Sequence, residues 1–186
     1  MKAQEALSFL KEGNSRYTND NLTHPNSDNN RKKSQTGGQT PFAIILSCAD
    51  SRVVPELIFD QGIGDLFVIR VAGNTANASS IASIEYAVAH LGTKLIVVLG
   101  HESCGACGAA ITGGDTGPNL NHLLKMINPA VEKSISKEVN DVVRINAELQ
   151  ANDLSNNSKI ITEAVEKSGV EIVSAFYNLN GGGVDF

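Results

Sequence analysis

Three short runs of consecutive apolar residues punctuate the chain, Phe42 to Leu46, Leu66 to Ile69 and Leu95 to Leu99, and a fourth apolar stretch, residues 170–176, is interrupted only by Glu171 and Ser174. Runs of this length without polar alternation predict strands buried on both faces. Between the second and third runs, Ile81, Ile84, Ala87, Val88 and Leu91 recur at helical spacing and Gly92 follows, which predicts a helix over 78–91 with a glycine stop. Residues 55–59 read as a short helical segment, and 129–150 and 154–168 as two more helices. Gly113 to Gly117 reads as a loop and Gly181 to Gly183 as a turn. Strands alternating with helices predict an α/β fold, with a mainly parallel central β-sheet flanked by helices.

The N-terminal segment differs. Residues 3–17 place Ala6, Leu7, Phe9 and Leu10 on one helical side. Residues 18–40 are almost wholly polar and read as a long loop. A loop of that length is unusual inside a compact domain. It is expected to act as a strap over a partner or a neighbouring face. The expected organisation is one domain over 1–186, with a helix and extended strap in 1–40 and an α/β core in 41–186.

Charge narrows the possible partners. The net charge is −5 and the only basic run is Arg31-Lys32-Lys33, in a polar stretch without aromatics. Nucleic acid is therefore not an expected partner, since phosphate binding needs a clustered positive field. No apolar stretch approaches the roughly 20 residues of a bilayer-spanning helix. Met1 to Tyr17 contains no apolar signal core. The expected compartment is the cytoplasm, with no membrane partner. Cys48, Cys104 and Cys107 are the only cysteines, and an odd, low count points to metal binding or thiol chemistry rather than a disulfide framework.

The chemistry-bearing residues follow the strands. Cys48-Ala49-Asp50-Ser51-Arg52 comes directly after the first, Arg70 ends the second, and His101-Glu102-Ser103-Cys104-Gly105 comes directly after the third. Ligand sites in open parallel sheets lie beyond the carboxyl ends of strands. If the first and third strands are neighbours, Cys48, His101 and Cys104 converge. Two thiolates and an imidazole suit zinc, and three protein ligands leave the fourth position open, as in catalytic rather than structural sites. Arg52 can hold the Asp50 carboxylate by two hydrogen bonds. That pair is either a local salt bridge ordering the loop or a carboxylate held beside the metal. In the second case Asp50 orients a bound hydroxide or, if Arg52 releases it, fills the fourth zinc position. Gly105 offers a backbone N–H near the metal. His90 and His122 are candidate proton carriers, while His24 lies in the polar loop.

Two other readings use the same residues. Cys104-Gly105-Ala106-Cys107 has the C-x-x-C spacing of thiol–disulfide oxidoreductases, but it follows the third strand and leaves His101 and Cys48 unexplained. A non-catalytic structural zinc site would normally use four nitrogen or sulfur ligands. Cys107 reads more simply as a small buried apolar residue.

Residues 48–74, 83–92 and 95–107, and more loosely the last strand, resemble the β-class carbonic anhydrases. The resemblance implies reversible hydration of carbon dioxide to bicarbonate and a proton, with one Zn²⁺ per chain on Cys48, His101 and Cys104. Asp50 and Arg52 would form the catalytic dyad. It also implies a homodimer or a dimer of dimers, with the site at the subunit interface and the N-terminal helical extension packed on the partner subunit. Tyr86 would line the substrate pocket, and Gln61 falls near the family's interface glutamine, one position off in a gapless alignment. Relatives on this scaffold hydrolyse CS₂ or COS, so that chemistry is the alternative. Some bacterial members bind inhibitory bicarbonate through a tryptophan, an arginine and a tyrosine. Arg70 matches the arginine, but Ile45 stands at the tryptophan's place, so that inhibition is expected to be absent.

Overall fold

The four apolar runs form the parallel strands of one sheet in a computed structural model that describes residues 1–186. The strands are β1 (Ala43–Ser47), β2 (Leu66–Arg70), β3 (Leu95–His101) and β4 (Glu171–Tyr177), in the order β2-β1-β3-β4. A two-residue strand, β5 (Val184–Asp185), pairs antiparallel with the end of β4. The central strands β1 and β3 are buried along their whole length, which is why they carry no polar alternation.

Eight helices surround the sheet: α1 (Ala3–Thr18), α2 (Asn29–Ser34), α3 (Pro55–Ile58), α4 (Ala78–Leu91), α5 (Gly105–Thr112), α6 (Pro118–Lys133), α7 (Val139–Asn157) and α8 (Lys159–Ser168). None is long and apolar enough to cross a membrane. The ends of α4 follow from its sequence. The Asn77 side chain accepts the Ser79 and Ser80 amides, and Gly92 stops the helix in the left-handed conformation at φ 71°.

Strand alternation divides the core. Ile45, Val97 and Leu99 face Ala3, Ala6 and Leu10 of α1, together with Ile58 and Phe59. Ile44, Leu46, Ile96 and Val98 face α4, α7 and α8 through Ile84, Ala87, Leu154 and Ile161. A third apolar cluster lies past the strand ends and joins Cys48, Cys104 and Cys107 to Leu124, Ile127, Val142 and Phe176.

Two expectations need correction. The first concerns the helices after the third strand. Residues 129–150 are not one helix: α6 begins at Pro118, a residue suited to a first turn, and carries Pro129 inside it. The chain breaks at 134–138, where Lys137 takes a positive φ of 58° and its ammonium caps the Val131 carbonyl. The next helix runs to Asn157, and α8 starts only after Ser158, whose hydroxyl accepts the Ile161 amide. α5 and β5 were not anticipated.

The apolar side of α1 is buried on the chain's own sheet. Asn14, itself buried, donates to the Ile58 and Gly182 carbonyls (3.1 and 2.8 Å) and accepts the Val184 amide (2.9 Å). The second concerns residues 18–40, which are not all loop because they contain α2; as a strap over a neighbouring face would, they are tied to the chain's own residues 60–65. Asp60 accepts the Thr23 and His24 amides and the Arg16 guanidinium, while Asp65 accepts Arg31 and Asn26.

Candidate metal centre and active site

The sheet register assembles the site. Ser47 of β1 lies opposite Arg70 of β2 on one side and Leu99 of β3 on the other. Cys48 is the next residue of the chain, and His101 lies two residues past Leu99. Both therefore leave neighbouring strands at the same end. The turn after β3 places Cys104 at the N-cap of α5. The two sulfurs and a His101 ring nitrogen lie within 4.8 Å of one another, and all three residues are buried.

Each side chain is held from behind. The Gly73 amide points at the Cys48 sulfur at 3.3 Å. Arg70 donates to the Cys48 carbonyl at 3.1 Å and to the Asp50 carbonyl at 2.6 Å, bracing the loop that carries both residues. His101 donates from Nδ1 to the Glu102 carbonyl at 2.9 Å, which leaves Nε2 as the lone-pair nitrogen. Glu102 is itself fastened three ways. Its amide donates to the Tyr177 carbonyl, and its carboxylate accepts the Leu179 and Asn180 amides at 2.9 and 3.2 Å. Ser103 takes a positive φ of 55°, and its amide is held by the Asn140 side chain at 2.9 Å.

The donor set fits a zinc ion. His101 Nε2 is completely buried and has no partner within the chain. An imidazole lone pair buried in this way is a costly arrangement unless something occupies it. Two cysteine sulfurs beside it give the mixed soft and borderline chemistry that zinc prefers. Within the chain alone, the contact with Cys104, reinforced by burial, pushes the Cys48 thiol up to about 12. The neighbouring Cys107, followed by burial, pushes Cys104 up to about 11, with Cys48 opposing. A cation would replace those protons.

Asp50 stands at the edge of this set. One carboxylate oxygen accepts the backbone N–H and Nε of Arg52, both at 2.9 Å, and the other accepts Nη2 at 2.7 Å. The second oxygen is also 3.9 Å from His101 Nε2. Arg52 holds the Asp50 carboxyl well below the usual carboxylate range, against an opposing effect of burial. The pair lies beside the metal ligands rather than away from them.

Of the remaining expected residues, Gly105 adjoins Cys104, and Gln61 and Tyr86 make their contacts elsewhere in the single chain. Gln61 turns its amide back to the Phe59 carbonyl at 2.9 Å. Tyr86 is half exposed on α4, against the rings of Phe67 and His90 at 6.5 and 5.2 Å. Gly105 opens α5, and a Cβ there would meet nothing. Cys107 is fully buried beside Cys104 but is not one of the three converging donors. The supporting roles of Gly73, Glu102 and Asn140 are not displayed by the motifs themselves. Gly73 could have been found from the need for a left-handed residue after the second strand. The other two act through backbone groups that a sequence does not display.

Comparison with known proteins agrees with this geometry. A sequence profile described as carbonic anhydrase matches residues 43–184. Carbonic anhydrase 2 of Mycobacterium tuberculosis is 37% identical, over 95% of this chain and 89% of its own length. The carbonic anhydrase of Mycolicibacterium smegmatis is 35% identical, over 97% and 91%. Among solved structures, one described as a tetrameric β-carbonic anhydrase of Sordaria macrospora matches with a TM-score of 0.76 at 28% identity, covering 83% of this chain and 84% of that one. With its zinc-type donor set at the ends of parallel strands and relatives matched along nearly its whole length, this chain belongs to the β class of the carbonic anhydrase family.

Proposed function

We propose that the chain hydrates carbon dioxide reversibly to bicarbonate and a proton, with one zinc ion held by Cys48, His101 and Cys104. The observation that carries this reading is the buried, unpartnered His101 Nε2, which shares a small space with two sulfurs and lies 3.9 Å from the Asp50 carboxylate. When bound, the zinc supplies a nucleophile by lowering the pKa of water toward neutrality.

The chain's own residues account for the rest. His101 is fixed in one tautomer and one orientation through Glu102. Gly73 directs an N–H dipole at Cys48, which favours charge on that sulfur. Asp50 is kept ionised by Arg52, so it accepts a hydrogen bond and orients the attacking water, but it is too weak a base to retain the proton. With all three Arg52 contacts formed, Asp50 is engaged by the arginine. This supports an open fourth position in preference to a carboxylate ligand.

We also propose a homodimer or dimer of dimers. The outer edge of β2 pairs with no strand of this chain, although Leu66 to Ile69 are apolar. Leu57, Ile63 and Tyr86 are exposed on the elements around it. The Sordaria structures are described as tetrameric. Such an interface would let a partner complete the pocket to which Gln61 and Tyr86 contribute.

Stopped-flow CO₂ hydration and metal analysis on the same preparation test the reading. Fast hydration with one zinc per chain is the expected result. A zinc-loaded protein without hydratase activity would turn the site into a structural one.

A further inference from the structure

Hydration leaves one cysteine beside the site unused. Cys107 is fully buried, is not one of the three converging donors, and forms no disulfide. Cys104 is the N-cap of α5 and Cys107 is the third residue of that helix. Residues three apart on one turn are neighbours, and the two thiols share one apolar cluster. A C-x-x-C whose first cysteine caps a helix is the arrangement that disulfide-exchanging proteins use. Here the first cysteine is also a proposed metal ligand, and a sulfur cannot serve as thiolate ligand and disulfide partner together.

We propose that Cys104 and Cys107 form a reversible disulfide when hydrogen peroxide reaches the site, and that this bond withdraws Cys104 from the metal. The inference rests on the reading of Cys104 as a zinc ligand. The Cys104 sulfur attacks one peroxide oxygen. An S–O bond forms, the O–O bond breaks, and water leaves, giving a sulfenic acid. The Cys107 sulfur then attacks the oxidised sulfur. An S–S bond forms, the S–O bond breaks, and a second water leaves. The two thiol protons end in the two waters, the sulfurs lose two electrons, and the peroxide is reduced. A dithiol reverses the change by exchange.

Cys48 is a competing partner, because its sulfur is also close to Cys104. Geometry favours Cys107. The backbone of Cys48 is braced through its carbonyl by Arg70, and its sulfur accepts the Gly73 amide. A disulfide to Cys48 would have to draw the end of β1 toward α5. Closure between Cys104 and Cys107 stays within one helical turn, and Gly105 has open space around it. Hydrogen peroxide is smaller than bicarbonate, so a site that admits bicarbonate admits it too.

The test uses the zinc-loaded protein and its Cys107→Ser variant, with hydrogen peroxide as oxidant. After brief treatment, alkylation and peptide mass mapping, the wild type is expected to show a Cys104–Cys107 bond and to lose zinc to a chromogenic chelator. Dithiothreitol with added zinc is expected to restore both zinc content and hydration. Before oxidation the variant should match wild type in both. After oxidation it should lose zinc without recovery, because Cys48, braced by Arg70 and Gly73, does not close on the sulfenic acid, which proceeds to sulfinic acid. A Cys48–Cys104 bond in wild type, or full recovery of the variant, would overturn the proposal. Failure of the untreated protein to hold zinc would instead defeat the metal reading, while mass mapping still decides the disulfide.

Discussion

Gly73 lies where backbone strain, core packing and the metal site meet, so replacing it with alanine has a calculable cost. It occupies the left-handed region at φ 66° and ψ 21° in the turn Ala72–Asn74. Its amide points at Cys48, and its carbonyl accepts the Asn146 side chain at 2.8 Å. A Cβ would sit 2.6 Å from Ile127 Cδ1 and 3.3 Å from the Ala106 Cβ. The left-handed conformation costs an alanine roughly 1–2 kcal/mol. Forcing a methyl into a packed core adds about 1–3 kcal/mol. The sum, about 2–5 kcal/mol, corresponds to a fall in Tm of roughly 4–20 °C for a chain of this length. Urea denaturation of the zinc-loaded protein at one protein concentration measures it, since metal and partner binding both shift apparent stability. Ile127→Val separates the two causes because it deletes the atom that clashes. Alone it should cost about 0.5–1.5 kcal/mol. Combined with Gly73→Ala it should restore stability instead of lowering it further. A Gly73→Ala protein within about 0.5 kcal/mol of wild type, or strictly additive behaviour of the pair, would refute the reasoning.

Three other predictions address the site and its supports. Asp50→Asn should retain one zinc per chain by metal analysis while CO₂ hydration drops by about 10²–10⁴-fold in stopped flow; an unchanged rate would remove Asp50 from the mechanism. Glu102→Ala leaves the Leu179 and Asn180 amides without their acceptor and frees the peptide that orients His101. Zinc affinity measured by chelator competition should weaken by about 10–100-fold, and Glu102→Gln, which still accepts, should recover most of it. Burial raises the Asp60 carboxyl, but Arg16, Thr23 and His24 together bring it down from 3.8 to about 2. Its stabilisation is therefore complete above the unfolded value and lost as pH falls between those two values. Asp60→Asn should be less stable at neutral pH and should show a flatter acid limb in denaturation across that window.

Much of this was legible without coordinates. Fully buried parallel strands need continuous apolar runs, so β1 and β3 stand out, and the partly buried β2 and β4 are still apolar enough to be legible to within a residue or two at most ends. Gly92 marks the end of α4 because a helix stop acts through the adjacent residue. The helices after β3 were harder. α6 and α7 mix polar and apolar residues on several faces, and Asn146 and Gln150 are buried polar residues satisfied by distant backbone groups. A sequence cannot show such partners. The break at 134–138 depends on Lys137 reaching back to α6, which no local periodicity records.

The ligand types, their order and their positions after strands follow from residue chemistry and local period alone. The family follows from the same motifs. That the three donors meet was decided by the strand order, which places β1 between β2 and β3 and sets their ends level. The state of His101 was decided by a carbonyl held from the far end of the chain, through Tyr177, Leu179 and Asn180. The covering of the sheet by α1 was decided in the same way, by Asn14 joining α3 to the C-terminal turn. Local sequence selects the donors and the elements because caps, periods and turns act over a few residues. Long-range hydrogen bonds and register place them, because those partners are distant in sequence and adjacent only once the sheet has formed.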